Sequence, residues 1–141
     1  MANDAGDFAR SMSIATSGLR AQAGRMRVIS ENIANADSTA PTSTGDPYRR
    51  KVPTFSSALD RTLDAKVVTL GKVRTDRSDF RVKHGPGNPA ADASGNVKYP
   101  NVNPLVEMTD MREAQRSYEA NLNIISATRR MIQRTLDILK A

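Results

Sequence analysis

Cysteine is absent from this 141-residue chain, tryptophan is absent too, and histidine occurs once. Without thiols there is no disulfide framework, no thiolate nucleophile and no thiolate-held metal, and the redox compartment is left open. With His84 as the single imidazole, a metal site would have to be built mainly of carboxylates, so neither a metal nor a cofactor is expected. Aromatic residues make up only 4% of the chain, so Ala, Met, Leu and Ile must do most of the packing. No window approaches the roughly 20 apolar residues that cross a bilayer, and no direct membrane span is expected. The opening MANDAGDFARSMSIATSGLR carries Asp4 and Asp7 and has neither a basic start nor an apolar block, so a standard secretory signal is not expected. Length and an apolar content of 38% cap the enclosed interior, which leaves little material for a deep pocket and argues against an enzyme.

Charge is present in quantity but not in a stripe. The net charge is +6, and Lys plus Arg against Asp plus Glu run 4 to 3 over residues 1–35, 11 to 7 over 36–103 and 6 to 5 over 104–141. The excess lies in the middle. Arg49, Arg50 and Lys51 form a short basic run beside Tyr48, but the helical segments present no basic face, so no nucleic-acid partner is expected.

The strongest pattern lies at the two ends. Phe8, Met12, Ala15, Leu19, Gln22, Met26, Ile29 and Ile33 follow one another at spacings of four and three, the repeat of a helix with a narrow apolar seam. Ile14 and Val28 flank it. Gly18 and Gly24 weaken the isolated helix by roughly 1 kcal/mol each and permit another backbone to come close. The run ends in ANADSTAPTSTGDPYRRK, where Asn35, Asp37, Ser38 and Thr39 compete locally for backbone groups, so a helix is expected over about 7–35. At the other end Met108, Met111, Gln115, Tyr118, Leu122, Ile125, Arg129, Ile132, Leu136 and Leu139 repeat the spacing, with Gln115 and Arg129 as polar interruptions. Ile124, Met131 and Ile138 recur beside them and widen the seam. Asn103 caps and Pro104 opens this helix, which is expected over 104–140 and would be roughly 55 Å long.

Between the helices the signals are short and β-favouring. Val67, Val68, Leu70 and Val73 suggest a strand or hairpin, and Phe80 with Val82 another. Residues 85–96 are rich in Gly and Pro and read as a mobile or partner-ordered loop. The expected fold is mainly α with a small β region: long N- and C-terminal helices paired as a coiled-coil-like stem over 1–35 and 104–141, joined by a β-containing middle over 36–103. Antiparallel pairing covers one side of each wide seam. The uncovered side calls for a neighbouring copy or a homologous subunit, so folding would be completed by assembly.

Three stretches carry a resemblance. SGLRAQAGRMRVISENIANADSTAPTSTGDPYRRK holds Asn32, Ala34, Asn35 and Ala36, followed by Tyr48 and Arg49; DASGNVKYPNVNP sets Gly95 ahead of Tyr99, Pro100, Asn101, Val102 and Asn103; and EMTDMREAQRSYEANLNIISATRRMIQRTLDI centres on Arg116, Ser117, Tyr118, Ala120 and Asn121. In this order they resemble the flagellar basal-body rod proteins, most closely the C-type proximal ones. The resemblance implies a structural subunit whose terminal helices line a hollow shaft across the periplasm. It also implies partners among copies of itself, homologous rod proteins, adjacent basal-body components and the type III export apparatus, with export that needs no cleavable signal.

Subunit-interface candidates follow from seam and signature together. They are Met12, Leu19, Met26, Ile29 and Ile33 with Asn32, Asn35, Tyr48 and Arg49 on the first half, and Tyr118, Leu122, Ile124, Ile125, Met131, Ile132, Leu136, Ile138 and Leu139 on the second. Asn32 and Asn35 can equally serve to satisfy the last carbonyls of the helix, and Gln115 and Arg129 are either tolerated polar positions or residues that fix register. Tyr118 has no base or cofactor motif beside it, and His84 no second His, nucleophile or carboxylate pair, so no catalytic residue is assigned. The other reading of the same pattern is a coiled-coil scaffold or adaptor of finite oligomeric state.

Overall fold

The computed structural model describes residues 2–140, with side chains from residue 6 onward. Helix α1 runs Ala2–Ala34 and helix α2 Pro104–Lys140. Between them lie six strands, β1 (Lys51–Val52), β2 (Phe55–Asp60), β3 (Ala65–Leu70), β4 (Arg74–Thr75), β5 (Arg81–His84) and β6 (Asn96–Tyr99). They pair antiparallel as β1 with β4, β2 with β3 and β5 with β6. The chain is thus two long helices that pack on each other and a small β-containing middle, as the pattern of the sequence led us to expect.

Helix α2 has the expected bounds, and its start is set by Asn103, whose Oδ1 accepts the Leu105 amide at 3.1 Å. Helix α1 begins ahead of residue 7, since Ala2 and Ala5 favour helix and nothing before Gly6 breaks it. It stops where Asn35 turns its side-chain amide back onto the Glu31 carbonyl at 2.8 Å, one of the orphan acceptors of a helix end.

Contacts group the chain into two compact units, each of which takes part of both helices. One comprises the chain up to Met26, Thr54–Lys72 and the chain from Glu113 on. Here Gly18 faces Asn121, and Arg25 pairs with Glu113 at 3.1 Å, so the helices run antiparallel. Small side chains allow the approach: Ala15, Ala21 and Ala114 are all buried. What comes close at Gly18 and Gly24 is side chain, not backbone. A Cβ on Gly18 would stand 2.8 Å from the Asn121 amide, and one on Gly24 2.7 Å from Leu70 Cδ2. The β2–β3 hairpin, in register from Phe55↔Leu70 to Asp60↔Ala65, lies with β3 against α1. Asp60 organises its turn by accepting the amides of Thr62 and Leu63, and Asp64 takes φ 47°.

The other unit comprises Arg27–Pro53 and Val73–Arg112. Its core is Val28, Ile29, Ala36, Ala40, Ala90, Val97 and Val102, with Asn32 and Glu107 buried among them. Arg81 on β5 donates to the carbonyls of Pro100 (2.9 Å) and Ala36 (2.6 Å). Residues 85–96, expected as a mobile or partner-ordered loop, form hydrogen-bonded turns. Gly85 N donates to Gly95 O at 2.8 Å, Asp92 N to Asn96 O at 2.8 Å, and Asp92 Oδ1 accepts the amides of Ser94 and Asn96. Gly95 supplies the positive φ of 76°, and Ala90 is buried beneath. The Gly and Pro content here encodes a series of tight turns that close β5 onto β6.

Candidate functional site: helix flanks and a buried polar junction

The helix faces differ from the expected seam in one systematic way. On α2 the line Met111, Tyr118, Ile125 and Ile132 is half-buried as expected. The residues that alternate with it against the chain's own partner are Glu107, Ala114, Asn121 and Thr128, of which Glu107, Ala114 and Thr128 are fully enclosed. Gln115 and Arg129, expected within the seam, are exposed, and so are Met108, Leu122 and Leu136 on the same line. Helix α1 repeats the shift. Ala15 and Ile29 are buried as expected, but Gly18, Arg25 and Asn32 alternate with them, while Met12, Leu19, Met26 and Ile33 stand to one side and are half-buried. The reason is steric: small and polar residues let two helices come close, and the bulky apolar ones are displaced to the flanks.

Helix α2 therefore carries large apolar side chains outward on both sides of its own contact. Ile124, Met131 and Ile138 recur every seventh residue on one flank; Met108, Leu122 and Leu136 lie on the other. Met131 keeps 48% and Ile138 76% of its possible exposure, and Leu139 is exposed beside them. In the first unit, Gln22 Oε1 on α1 is enclosed without a hydrogen-bond partner among the described residues, which costs about 1–3 kcal/mol wherever it persists.

The second unit holds a junction of a different kind. Asn32 Nδ2 donates to Lys51 O (2.8 Å) and Glu107 Oε2 (3.0 Å), while Asn32 Oδ1 accepts Tyr48 OH (2.8 Å) and Lys51 N (2.9 Å). These bonds use the full capacity of a side-chain amide. Glu107, wholly buried, accepts Arg50 Nε on its other oxygen at 2.5 Å. The Arg50 guanidinium also reaches Asp110 at 3.6 Å and Asp76 at 4.0 Å. Asn101 holds the Arg50 backbone as well, accepting Arg50 N at 2.8 Å and donating to Ser78 Oγ at 2.9 Å.

Electrostatics follow the geometry. Burial first, then the carboxylates of Glu31 and Glu107, push the Tyr48 phenol up to about 12. The Ser78 backbone amide, then its hydroxyl, then Arg50 and Arg49, hold the Asp76 carboxyl below its usual range against a smaller opposing effect of burial.

The basic run is thus occupied within the chain. Arg49 stacks 4.0 Å from the centre of the Phe80 ring and donates to Ser78 O, Arg50 serves the acids just named, and Lys51 pairs with Glu31. No nucleophile stands beside a base in this cluster; its polar groups hold one another. The expected candidates are distributed accordingly. Ile29 and Asn32 are enclosed by their own chain, Asn35, Tyr48, Arg49, Tyr118, Ile125 and Ile132 are half-buried, and Leu122, Ile124, Met131, Leu136, Ile138 and Leu139 are exposed. Arg50, Asp76, Asn101 and Glu107 are not marked by the apolar periodicity of the sequence. The available signal was Glu107 standing four residues before Met111, a charge on the line of a helix seam.

Comparison with known proteins places these features. Residues 12–40 match the family described as flagella basal body rod protein, and residues 93–138 match flagellar basal body rod FlgEFG protein C-terminal. The flagellar basal-body rod protein FlgC of Agrobacterium fabrum is 56% identical over 128 residues, covering 91% of this chain and 92% of that protein. Those of Bacillus subtilis and Aquifex aeolicus are 39% and 36% identical, covering 92% and 95% of this chain and 97% and 98% of their own lengths.

Proposed function

The chain belongs to the FlgC family of flagellar basal-body rod proteins, and from that premise we propose that it polymerises through the outward flanks of α2 into the wall of a hollow rod. It is a structural subunit of the flagellar basal-body rod and not an enzyme. The observation that carries the assembly reading is the run of large apolar residues on α2 left uncovered on both sides of its contact with α1. A helix with one such flank can dimerise; with two it can sit between neighbours, as the wall of a tube requires. In this reading 1–35 and 104–141 form the packed stem, 36–103 forms the lateral part, and the neighbours are copies of this chain and homologous rod proteins.

The position in the rod is proximal, and the rod crosses the periplasm between the motor and the hook, with adjacent basal-body components at its ends. No described helix is long and apolar enough to cross a membrane. Delivery is through the flagellar type III export apparatus as an unfolded chain. Ordering of the outer helix turns accompanies incorporation, since the apolar area they offer is covered only by neighbours.

Met131→Asp and Ile138→Asp test the reading, because both residues are exposed and their loss leaves the chain's own packing intact. Circular dichroism of the free variants should match the parent, while basal bodies purified from cells carrying them should lack the subunit. Basal bodies with normal rods and the variant incorporated would sink the proposal.

A further inference from the structure

The β2–β3 hairpin has two long edges, and among the described residues only one is covered. On the β3 side Val68 N leaves the ladder and donates to Ser17 Oγ of α1 at 3.2 Å. That fixes the alternation. Gly71 N donates to Thr54 O at 2.6 Å, so Thr54 and Gly71 face each other through their hydrogen-bonding groups. The next pairs, Phe55↔Leu70, Ser57↔Val68 and Leu59↔Lys66, then alternate, and in the first two and the third alike the N–H and C=O of β2 point away from β3. The amides and carbonyls of Phe55, Ser57 and Leu59 therefore line a free edge.

Among the described residues nothing blunts this edge. Natural sheets protect exposed edges with Lys, Pro, bulges or very short strands. The β5–β6 hairpin does so with Arg81, Lys83 and Lys98. Strand β2 reads FSSALD, six residues with no basic residue, no Pro and no charge before Asp60. Residues 55–59 are all exposed, Phe55 at 43% and Leu59 at 56%.

The edge is also complementary to itself. Laid antiparallel about Ser57 against a second β2, it sets Ser57 opposite Ser57, Phe55 opposite Leu59, and Ser56 opposite Ala58. Aromatic and aliphatic partners then meet on one face, and no like charges are opposed. Because α1 covers the far edge of β3, such pairing gives a closed four-stranded sheet and cannot extend into a fibre. We propose that β2 is a self-pairing edge through which two copies of this chain associate in solution, by backbone hydrogen bonds and independently of the helix flanks.

The chain has no cysteine, so single Cys variants report directly on this register. In a hydrogen-bonded antiparallel pair the Cα atoms opposite each other are about 5.5 Å apart, within disulfide range. Full-length Ser57→Cys should form a covalent dimer under mild oxidation several-fold faster than Ser56→Cys or Ala58→Cys, whose like residues are offset along the strands. Light scattering of the parent should show the mass doubling with concentration, and Leu59→Lys should abolish the doubling. Adding Met131→Asp to Ser57→Cys should leave the cross-link unchanged. The proposal is overturned if Ser57→Cys cross-links no faster than its neighbours, if Leu59→Lys still dimerises, or if Met131→Asp removes the cross-link; the first two outcomes leave the rod reading untouched, and the third assigns the association to the helix flanks instead.

Discussion

Arg50→Met is the sharpest perturbation of the polar junction, because it strands a charge that the chain has fully enclosed. Glu107 has no exposure and keeps, after the change, only the Asn32 amide at 3.0 Å on one oxygen. Breaking a buried ion pair by removing one partner costs about 3–5 kcal/mol. The Arg50 side chain retains 21% exposure, so water can follow into the space it leaves, and the lower end, about 3 kcal/mol, is expected. The weaker contacts of Arg50 with Asp76 and Asp110, both partly exposed, add little. For a chain of this size about 3 kcal/mol lowers the melting temperature by about 10 °C. Met fills the aliphatic volume of Arg, so the loss reports the charge and not a cavity. The paired change Arg50→Met with Glu107→Leu removes both charges and should recover most of the loss, to within about 1 kcal/mol of the parent. Urea unfolding followed by tyrosine fluorescence measures all three, since Tyr48 and Tyr99 lie in the unit that holds the junction. A single variant within about 1 kcal/mol of the parent, or a double variant less stable than the single, would refute the reasoning.

Two further outcomes follow from the same geometry. The Tyr48 phenol titrates higher in the folded chain than its ordinary value of 10.0, so its contribution is complete below pH 10 and is lost as pH rises through about 12; Tyr48→Phe should flatten that alkaline limb in a pH series of melting temperatures. Asn103→Ala removes the acceptor of the Leu105 amide and should cost about 1 kcal/mol, read as a lower urea midpoint and faster amide exchange in the first turn of α2, whereas Asn103→Asp should retain the cap.

Helix bounds were legible because capping chemistry is local: Asn103, Pro104 and Asn35 announce the ends of α1 and α2 within a few residues. The seam was half legible. A hydrophobic periodicity finds large side chains, and it therefore joined Tyr118 to Leu122 and Ile29 to Ile33, whereas the chain's own helix contact runs through Ala114, Asn121, Gly18 and Asn32. On α2 the bulkiest apolar side chains mark the exposed flanks, and small or polar ones mark the contact the chain makes with itself. Glu107 was illegible for a related reason: a lone carboxylate on a helix is ordinarily solvated, and its burial depends on Arg50, fifty-seven positions away in sequence. The turns of 85–96 were recognisable as turns, but their order depends on a register between β5 and β6 that no local signal fixes.

The saturation of Asn32 has a mechanical corollary. A helix rotates by about 100° per residue, so a slip of α1 by a single position would swing this amide out of reach of Tyr48, Lys51 and Glu107 together. Intermediate positions offer no partial credit, and the element behaves as a keyed joint with one permitted phase.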